Sequence, residues 1–185
     1  MNFNKHSNLI GKHAVLSASK YHWVNYDEEK LEAVIRNEAA KARGTALHEF
    51  ASQAISLSVK LPRNNQTLNA YVNDAIGFKM QPEQVLYYSD RIFGTADAIS
   101  FNRNVLRIHD LKTGVTPASF KQLEIYAALF CLEYGFRPGE IKMELRIYQN
   151  DEVFIHEPET SDIIRIMDRI VKYDKIVERI QSEES

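Results

Sequence analysis

The pattern of hydrophobic and polar residues along the chain predicts helices first. It is helical from Asp27 to about Lys60, and Gly44 is expected to divide this stretch into two helices because glycine is costly inside a helix. Shorter helices are predicted before this stretch, in "LSASKYHWVNY", and after it, in "TLNAYVNDAIGF". The N-terminal third of the chain is therefore expected to be helical.

Further along the chain the pattern changes to a period of two, which is typical of strands. Three strands are predicted in succession, in the segments "EQVLYYS", "RIFGTADAISF" and "NVLRIHDLK". Two more strands, "EIKMELRIYQ" and "EVFIHE", are expected to form a hairpin around Asn150-Asp151.

Two helices are predicted to flank this second hairpin. The first is "TPASFKQLEIYAALFCLEYG", with Thr116 as the N-cap, Pro117 at the first helical position and Gly135 as the C-terminal stop. The last runs from about Ser161 to Ile180. One side of it carries an apolar stripe: Ile163, Met167, Ile170, Val177 and Ile180.

The order of elements predicts an α/β (α+β) domain with one mixed β-sheet flanked by helices. The length of 185 residues fits a single domain that spans residues 1–185. Within it we expect N-terminal helices in 1–60, the sheet and a central helix in 83–156, and a C-terminal helix in 159–181.

Composition narrows the class of protein. Hydrophobic residues make up 44% of the chain and charged residues 26%, which is ordinary for a globular protein. The net charge of −2 does not indicate a nucleic-acid binder, although a whole-chain sum can hide a basic cleft. No apolar run is long enough to span a bilayer and no signal peptide is apparent, so we expect a cytoplasmic protein.

Two neighbouring predicted strands each carry an aspartate on a face that is otherwise mostly apolar. On the third strand, Asp110 and Lys112 share a face with Leu106 and Ile108. On the second strand, Asp97 shares a face with four other residues: Phe93, Thr95, Ile99 and Phe101. Both acids are therefore expected on the buried side of the sheet.

A hairpin turn at Asn102-Arg103 would make the two faces coincide and place Asp97 opposite Ile108, with Asp110 as its diagonal neighbour about 7–8 Å away. Two carboxylates this close repel each other, and a divalent cation between them would relieve the repulsion. Lys112 could then orient or deprotonate a water, or neutralise a phosphate. The alternative is a plain ion pair between Asp110 and Lys112, and the position of Asp97 favours a site.

These residues resemble the D…(D/E)-x-K motif of the PD-(D/E)xK nuclease superfamily, with Asp97 on one strand and Asp110-Leu111-Lys112 on the next. The following helix carries Gln122 and Tyr126 in "QLEIYA", which resembles the Q-x-x-x-Y motif of the RecB-type branch, the branch of phage exonucleases and CRISPR-adaptation nucleases. Upstream, "GTALHEF" resembles the G-T-x-x-H helix of that branch, with His48 as the histidine, and "LSASKYHWV" resembles its opening short helix.

The resemblance implies a metal site. Asp97, Asp110 and the backbone carbonyl of Leu111 would hold Mg²⁺ or Mn²⁺, and His48 would complete or support the site. Ala96 stands where the superfamily has its proline, and aspartate replaces the glutamate of many members at the second acid, which the motif allows. Several relatives carry an iron–sulfur cluster, but this chain has one cysteine, so no cluster is expected.

The resemblance also implies roles for the residues around the metal. Lys112 would serve the attacking water. Gln122 and Tyr126, one helical turn apart, would hold the DNA strand or position Lys112. Independently of the resemblance, Lys121 is a basic residue that could contact a DNA phosphate.

Other polar residues are expected to be structural. His109 lies on the opposite strand face from Asp110, and Glu49 is expected to face solvent. Three N-terminal histidines lack metal-ligand spacing and predict no site: His6, His13 and His22.

The resemblance therefore implies a restriction-endonuclease-like core and a Mg/Mn-dependent deoxyribonuclease, and we expect an exonuclease of DNA recombination, repair or phage DNA processing. The expected partners are DNA and, for processive action, a homo-oligomer or a recombination partner protein, with no membrane, in the cytoplasm of a bacterium or a phage-infected host. The alternative is a catalytically silent DNA-binding or assembly subunit that retains the fold. An enzyme acting on other phosphate esters is a third interpretation. Exo- or endonuclease action, either strand polarity, single- or double-stranded DNA, and one or two metal ions all fit the sequence.

Overall fold

The computed structural model describes Ser7 and residues 14–184 of the chain. His6, His13 and the corresponding parts of the helical segment expected in residues 1–60 lie outside the described residues. The described residues form two compact units, one that ends at Arg43 and one that begins at Gly44. In the first unit a 3₁₀ helix spans Ala18–Asn25, and the Ser17 side chain caps it by accepting a hydrogen bond from the next-but-one backbone N–H.

The first α-helix, α1, runs from Glu28 to Ser56 without interruption. The expected break at Gly44 is therefore wrong. Gly44 is buried, and a Cβ atom at this position would lie 2.8 Å from Thr113 Oγ1, so the glycine permits a close approach rather than ending the helix. Glycine costs about 1 kcal/mol relative to alanine inside a helix, and the good helix formers on both sides of Gly44 offset this cost.

Five strands form one mixed sheet in the order β1-β2-β3-β4-β5. The pairing of β3 with β4 is parallel and the other three pairings are antiparallel. The strands are β1 Gln81–Ser89, β2 Ile92–Asn102, β3 Val105–Leu111, β4 Lys142–Gln149 and β5 Glu152–His156. The mixed sheet flanked by helices that the sequence predicts is thus confirmed.

Three further helices accompany the sheet: α2 Thr67–Gly77, α3 Lys121–Tyr134 and α4 Thr160–Glu183. α3 connects the parallel strands β3 and β4, as parallel pairing requires. Gly135 ends α3 in the left-handed conformation with a φ of 72°, as expected. None of the helices within the described residues combines the length and the apolar character that crossing a bilayer requires.

The start of α3 differs from the prediction. Helix α3 begins at Lys121, so the expected N-cap at Thr116 and helical position at Pro117 are wrong. The buried Gln149 side chain explains the difference, because it donates to the Thr116 carbonyl at 2.8 Å and accepts from the Ala118 N–H at 3.2 Å. These hydrogen bonds to the Gln149 amide hold residues 116–118 in a loop, and α3 begins after it.

Two apolar cores cover the two faces of the sheet. One core packs α3 and α4 against Leu106, Ile108 and Leu145. The other core packs α2 and the end of α1 against Leu111 and Tyr148. The end of β3 lies between these two layers, and this is where the predicted site residues fall.

The hairpin between β2 and β3 differs from the expected register. Its turn lies at Arg103-Asn104, where both residues have positive φ (50° and 60°), as a two-residue hairpin turn favours. The observed pairs include Phe101 with Leu106 and Ala98 with His109, so the expected register is wrong by two residues. A shift of two preserves which strand face each residue occupies.

The alternation along β2 is also less regular than expected. Phe93 is 60% exposed, so the prediction that it shares a buried face with Ile99 is wrong. Ala96 and Ile99 both join the core under α3, whereas Ala98 joins the core on the other face. The alternation of side chains between the two faces of the sheet is therefore interrupted in β2 around Asp97. The side chain of Asp97 consequently need not follow the face that its position in the sequence predicts.

Candidate functional site

Asp97 and Asp110 lie side by side at the ends of the paired segments of β2 and β3. The ladder between these strands ends at the pair Ala98–His109, and each aspartate is the next residue on its strand. Asp110 is only 2% exposed. Burial, followed by the negative charge of Asp97, raises the pKa of the Asp110 carboxyl. The expected pair of acids on the sheet is therefore present.

Lys112 holds Asp110 through an ion pair. Its Nζ lies 3.1 Å from Asp110 Oδ1 and 2.9 Å from Oδ2. Only the Oδ1 contact has hydrogen-bond geometry, so the buried Oδ2 atom has no hydrogen-bond donor among the described residues. The Lys112 N–H donates to the Tyr148 carbonyl at 2.9 Å, which extends the ladder between β3 and β4 and fixes the lysine backbone.

Asp97 is anchored to the neighbouring strand by a different contact. Its Oδ2 atom accepts a hydrogen bond of 2.9 Å from the Leu111 backbone N–H. Leu111 is the last residue of β3 and is buried against α2 and the end of α1. The Asp97 carboxylate thus orients the peptide unit that joins Asp110 to Leu111. The role of the Leu111 carbonyl as a metal ligand stays a prediction.

His48 reaches the same cluster from α1. Its Nδ1 atom lies 3.4 Å from Asp97 Oδ2, and this carboxylate raises the pKa of His48. The buried residues Ala51 and Ile55 fix this face of the helix, and the close approach of Gly44 to Thr113 fixes it one turn earlier. The histidine identified by the resemblance therefore lies beside the acids.

Glu83 on β1 is a site residue that the sequence reasoning missed. The ligand atoms of His48, Glu83 and Asp97 all lie within 4.8 Å of one another. The bracketing pairs Pro82–Ala98 and Gln84–Ala96 place Glu83 level with Asp97. Partial desolvation and the charge of Asp97 raise the pKa of Glu83.

Counting back from the β1–β2 turn could have suggested Glu83, but a register irregularity between Tyr87 and Ser89 defeats a simple count. Glu83 itself has a φ of 49°, in the left-handed region that favours glycine. A residue other than glycine in this conformation carries strain of about 1 kcal/mol or more, and such positions concentrate at functional sites.

Helix α3 supplies the remaining predicted residues. Gln122 Oε1 accepts a hydrogen bond from Lys112 Nζ at 3.0 Å, and Gln122 Nε2 donates to the Tyr126 hydroxyl at 2.9 Å. The Tyr126 ring lies against Gly94, where an added Cβ would come within 2.8 Å of Tyr126 Cε1. A series of contacts therefore runs from Lys112 through Gln122 to Tyr126 and on to Gly94 of β2.

Lys121 directly precedes Gln122 and is 63% exposed at its side chain, where it forms an ion pair with Glu124. Its contact to a phosphate stays a prediction.

His109 lies on the opposite face of the sheet, as expected. It is fully buried with its Nδ1 atom 3.2 Å from the Tyr148 hydroxyl, and burial lowers the pKa of His109 to about 3. Glu49 is exposed, as expected.

The donor set fits a hard divalent cation. Two carboxylates and one imidazole converge, those of Glu83, Asp97 and His48. Asp110 adjoins this group, and the charges of Asp97 and His48 act on its carboxyl. Carboxylate oxygens suit Mg²⁺ and Mn²⁺, and Mn²⁺ also accepts imidazole. The buried Asp110 Oδ2 atom without a hydrogen-bond donor is what a metal ligand would look like before the ion binds.

Comparison of the sequence with models of known families and with curated proteins gives no match. Among solved structures, the chain is similar to one described as the crystal structure of SSO0001, with a TM-score of 0.37 and 13% sequence identity. The similar region covers 82% of this chain and 68% of that one. This degree of similarity defines neither a family nor a function.

Proposed function

We propose that the protein is a Mg²⁺- or Mn²⁺-dependent deoxyribonuclease that hydrolyses phosphodiester bonds, of the RecB-type branch of PD-(D/E)xK nucleases. The observation that carries the proposal is the position of Lys112. Its ammonium lies between Asp110 and Gln122, beside a cluster of further acids and a histidine. A structural ion pair explains the contact to the aspartate but not the convergence of the other ligands.

In this proposal His48, Asp97 and Asp110 hold the cation, and Glu83 contributes a fourth side chain from β1. A bound cation would lower the pKa of a water molecule and neutralise charge that develops on the phosphate. A bound cation would also reduce the repulsion between Asp97 and Asp110, which Lys112 offsets in part through its ion pair with Asp110.

Lys112 acts on the reacting group. Its ammonium carries three donors, and the described contacts engage Asp110 and Gln122, which leaves one donor for a phosphate oxygen or a water. A hydrogen bond from a fixed ammonium stabilises the transition state more than the ground state, because negative charge accumulates on the phosphate oxygens.

Gln122 and Tyr126 position this lysine. The amide accepts from the ammonium with its oxygen and donates to the tyrosine hydroxyl with its nitrogen, so both ends of the amide are used. This pairing fixes the orientation of the amide and supports the positioning role over direct contact of the Gln122 oxygen with DNA.

DNA as the substrate, exonuclease action and a role in recombination, repair or phage DNA processing rest on the motif resemblance. The same holds for a homo-oligomer or a partner protein in processive action. The arrangement of acids and lysine supports phosphodiester hydrolysis as the reaction and leaves the polymer to be identified by experiment.

The decisive experiment incubates the protein with end-labelled linear DNA and with covalently closed circular DNA, with Mn²⁺ and with chelator. We expect metal-dependent cleavage of linear DNA that is abolished in Lys112→Ala. Cleavage of the circle as well would assign endonuclease action. Binding of either DNA without cleavage would favour the silent subunit, and hydrolysis of only small phosphodiesters would favour another phosphate ester as substrate.

A further inference from the structure

A cavity of 220 Å³ adjoins the proposed site on the side of α1 and α2. Helix α1, the start of α2, the end of β3 and the turn between β4 and β5 each contribute to its lining. Pockets for drug-sized ligands measure about 300–1,000 Å³, so this cavity matches a smaller group such as a single flat ring system.

The walls of the cavity are largely apolar. Leu47, Leu68 and Leu111 come from three different elements and face the same space. Leu111 is 2% exposed, whereas Leu47 at the rim is 38% exposed and would lose contact with water if a ligand entered. Apolar walls with an exposed rim favour a flat, weakly polar group, because its burial releases water from both surfaces.

Two polar side chains at the cavity have free hydrogen-bonding capacity. The Thr113 hydroxyl and the Asn150 amide form no hydrogen bond with another described residue. Together they offer donors and acceptors to the edge of a ring. Amide side chains pair well with the edges of nucleobases, which present donors and acceptors close together.

The cavity is held in shape by a clamp between α2 and the β4–β5 turn. The Thr67 backbone N–H donates to Asp151 Oδ1 at 2.8 Å, and the Asp151 N–H donates to Thr67 Oγ1 at 2.7 Å. This reciprocal pair of hydrogen bonds holds the β4–β5 turn, which carries Asn150, against the N-terminus of α2. A preformed cavity loses less conformational entropy on binding than a flexible one.

We propose that this cavity binds the base of the nucleotide whose phosphate lies at Lys112. Lys112 lines the cavity and also belongs to the proposed catalytic cluster, so the two sites share this residue. The inference rests on the proposed function for the identity of the polymer, and it adds a subsite that recognises an unpaired base. A base in this cavity has left its stack, so the subsite favours a single strand or a frayed end.

The test follows the leucine methyl groups by NMR while thymidine 5′-monophosphate, deoxyadenosine 5′-monophosphate or 2-deoxyribose 5-phosphate is added. We expect ring-current shifts of the Leu47, Leu68 and Leu111 methyls with the two nucleotides and not with the sugar phosphate. We also expect the nucleotides to bind at least about tenfold more tightly than the sugar phosphate, because only they carry a base that the apolar walls can bury.

The variant Leu68→Phe should fill the cavity and bring the affinities for nucleotide and sugar phosphate within about twofold of each other. Leu57→Phe is the matched control, because Leu57 is 74% exposed and does not line the cavity. Asn150→Ala provides a second variant that removes a polar contact without adding volume. Equal shifts with sugar phosphate and nucleotides, or full nucleotide affinity in both variants, would overturn the inference.

These titrations involve no phosphodiester and require no turnover, so they separate the two proposals. Base binding without DNA cleavage would preserve the subsite and contradict the nuclease. Cleavage of DNA without base-dependent shifts would preserve the nuclease and contradict the subsite.

Discussion

Gln122 Oε1 accepts a hydrogen bond from Lys112 Nζ at 3.0 Å, so helix α3 holds the charged side chain that directly follows β3. The same ammonium bonds to Asp110, which is almost fully buried. Lys112 therefore has a fixed position between two partners on different elements. This arrangement predicts that the lysine and its aspartate will respond differently to substitution.

Lys112→Ala should retain Mn²⁺ binding and lose cleavage by about 10²–10³-fold, because the lysine contributes in the transition state. Without metal the variant should melt at a lower temperature, since Asp110 then faces Asp97 with no lysine beside it. Calorimetric Mn²⁺ titration, melting curves and a cleavage assay provide the measurements. Wild-type cleavage by the pure variant would remove Lys112 from the mechanism.

Asp110→Asn should lose Mn²⁺ affinity and cleavage together. Its melting temperature without metal should hold or rise, because burial and the negative charge of Asp97 raise the pKa of the Asp110 carboxyl and so favour its uncharged form. The same three measurements apply. A large loss of metal-free stability would show instead that the ion pair with Lys112 is mainly structural.

Gly94→Ala tests whether the Tyr126 ring positions the lysine through Gln122. An added Cβ would lie 2.8 Å from Tyr126 Cε1, so the ring must move and the variant should lose about 1–3 kcal/mol of unfolding free energy and much of its cleavage rate. Gly77→Ala is the control, because nothing lies within 4 Å of its added Cβ. The control should match or exceed wild-type stability by up to about 1 kcal/mol. Denaturant unfolding and cleavage rates of both variants decide, and equal behaviour would contradict the role of the ring.

Glu83→Gln tests the ligand that the sequence did not reveal. Loss of one carboxylate from the cluster with His48 and Asp97 should weaken Mn²⁺ binding by about tenfold or more. Glu49→Gln, an exposed glutamate on α1 near the same residues, should leave the affinity unchanged. Isothermal titration with Mn²⁺ compares them, and equal affinities would place Glu83 outside the metal site.

Asp174, which is not one of the proposed site residues, provides a pH-dependent prediction. Its carboxylate accepts hydrogen bonds from Arg91 at 3.0 Å and Ser89 at 2.5 Å, and these contacts lower the pKa of Asp174. A lowered pKa stabilises the fold above the unfolded value of about 3.9, and this contribution is lost as pH falls through the folded value.

Wild type should therefore melt at a higher temperature than Asp174→Asn at pH 7, and the difference should shrink as the pH falls below about 4. Asp168→Asn, at an exposed position on the same helix, should show little difference at either pH. A difference for Asp174→Asn that stays constant with pH would assign the effect to packing rather than charge.

The predictions from sequence succeeded where a feature depends on local pattern. The mixed sheet, the stop of α3 at Gly135 and the turn at Asn150-Asp151 follow from periodicity and from residues that tolerate positive φ. The prediction that Asp97 and Asp110 lie close together holds despite a register error of two residues, because a shift of two leaves each side chain on the same face of the sheet.

The errors occurred where a distant side chain decides the local structure. The sequence predicts that Gly44 breaks a helix, because it does not reveal that Thr113 packs against this glycine. The start of α3 depends on the Gln149 amide, which lies more than thirty residues away in sequence from the loop that it holds. Likewise Glu83 reaches the site through an irregularity of β1 that no single-sequence pattern contains.

The φ of 49° at Glu83 sets the demands of folding against those of the proposed metal site at one residue. Glycine or asparagine adopts this backbone conformation at lower cost, so either substitution should raise thermal stability while removing the carboxylate. A library of variants selected only for resistance to heat should therefore converge on glycine or asparagine at this position. A library selected for activity at limiting Mn²⁺ should retain glutamate, and the contrast between the two selections would measure how strongly the metal constrains the sequence.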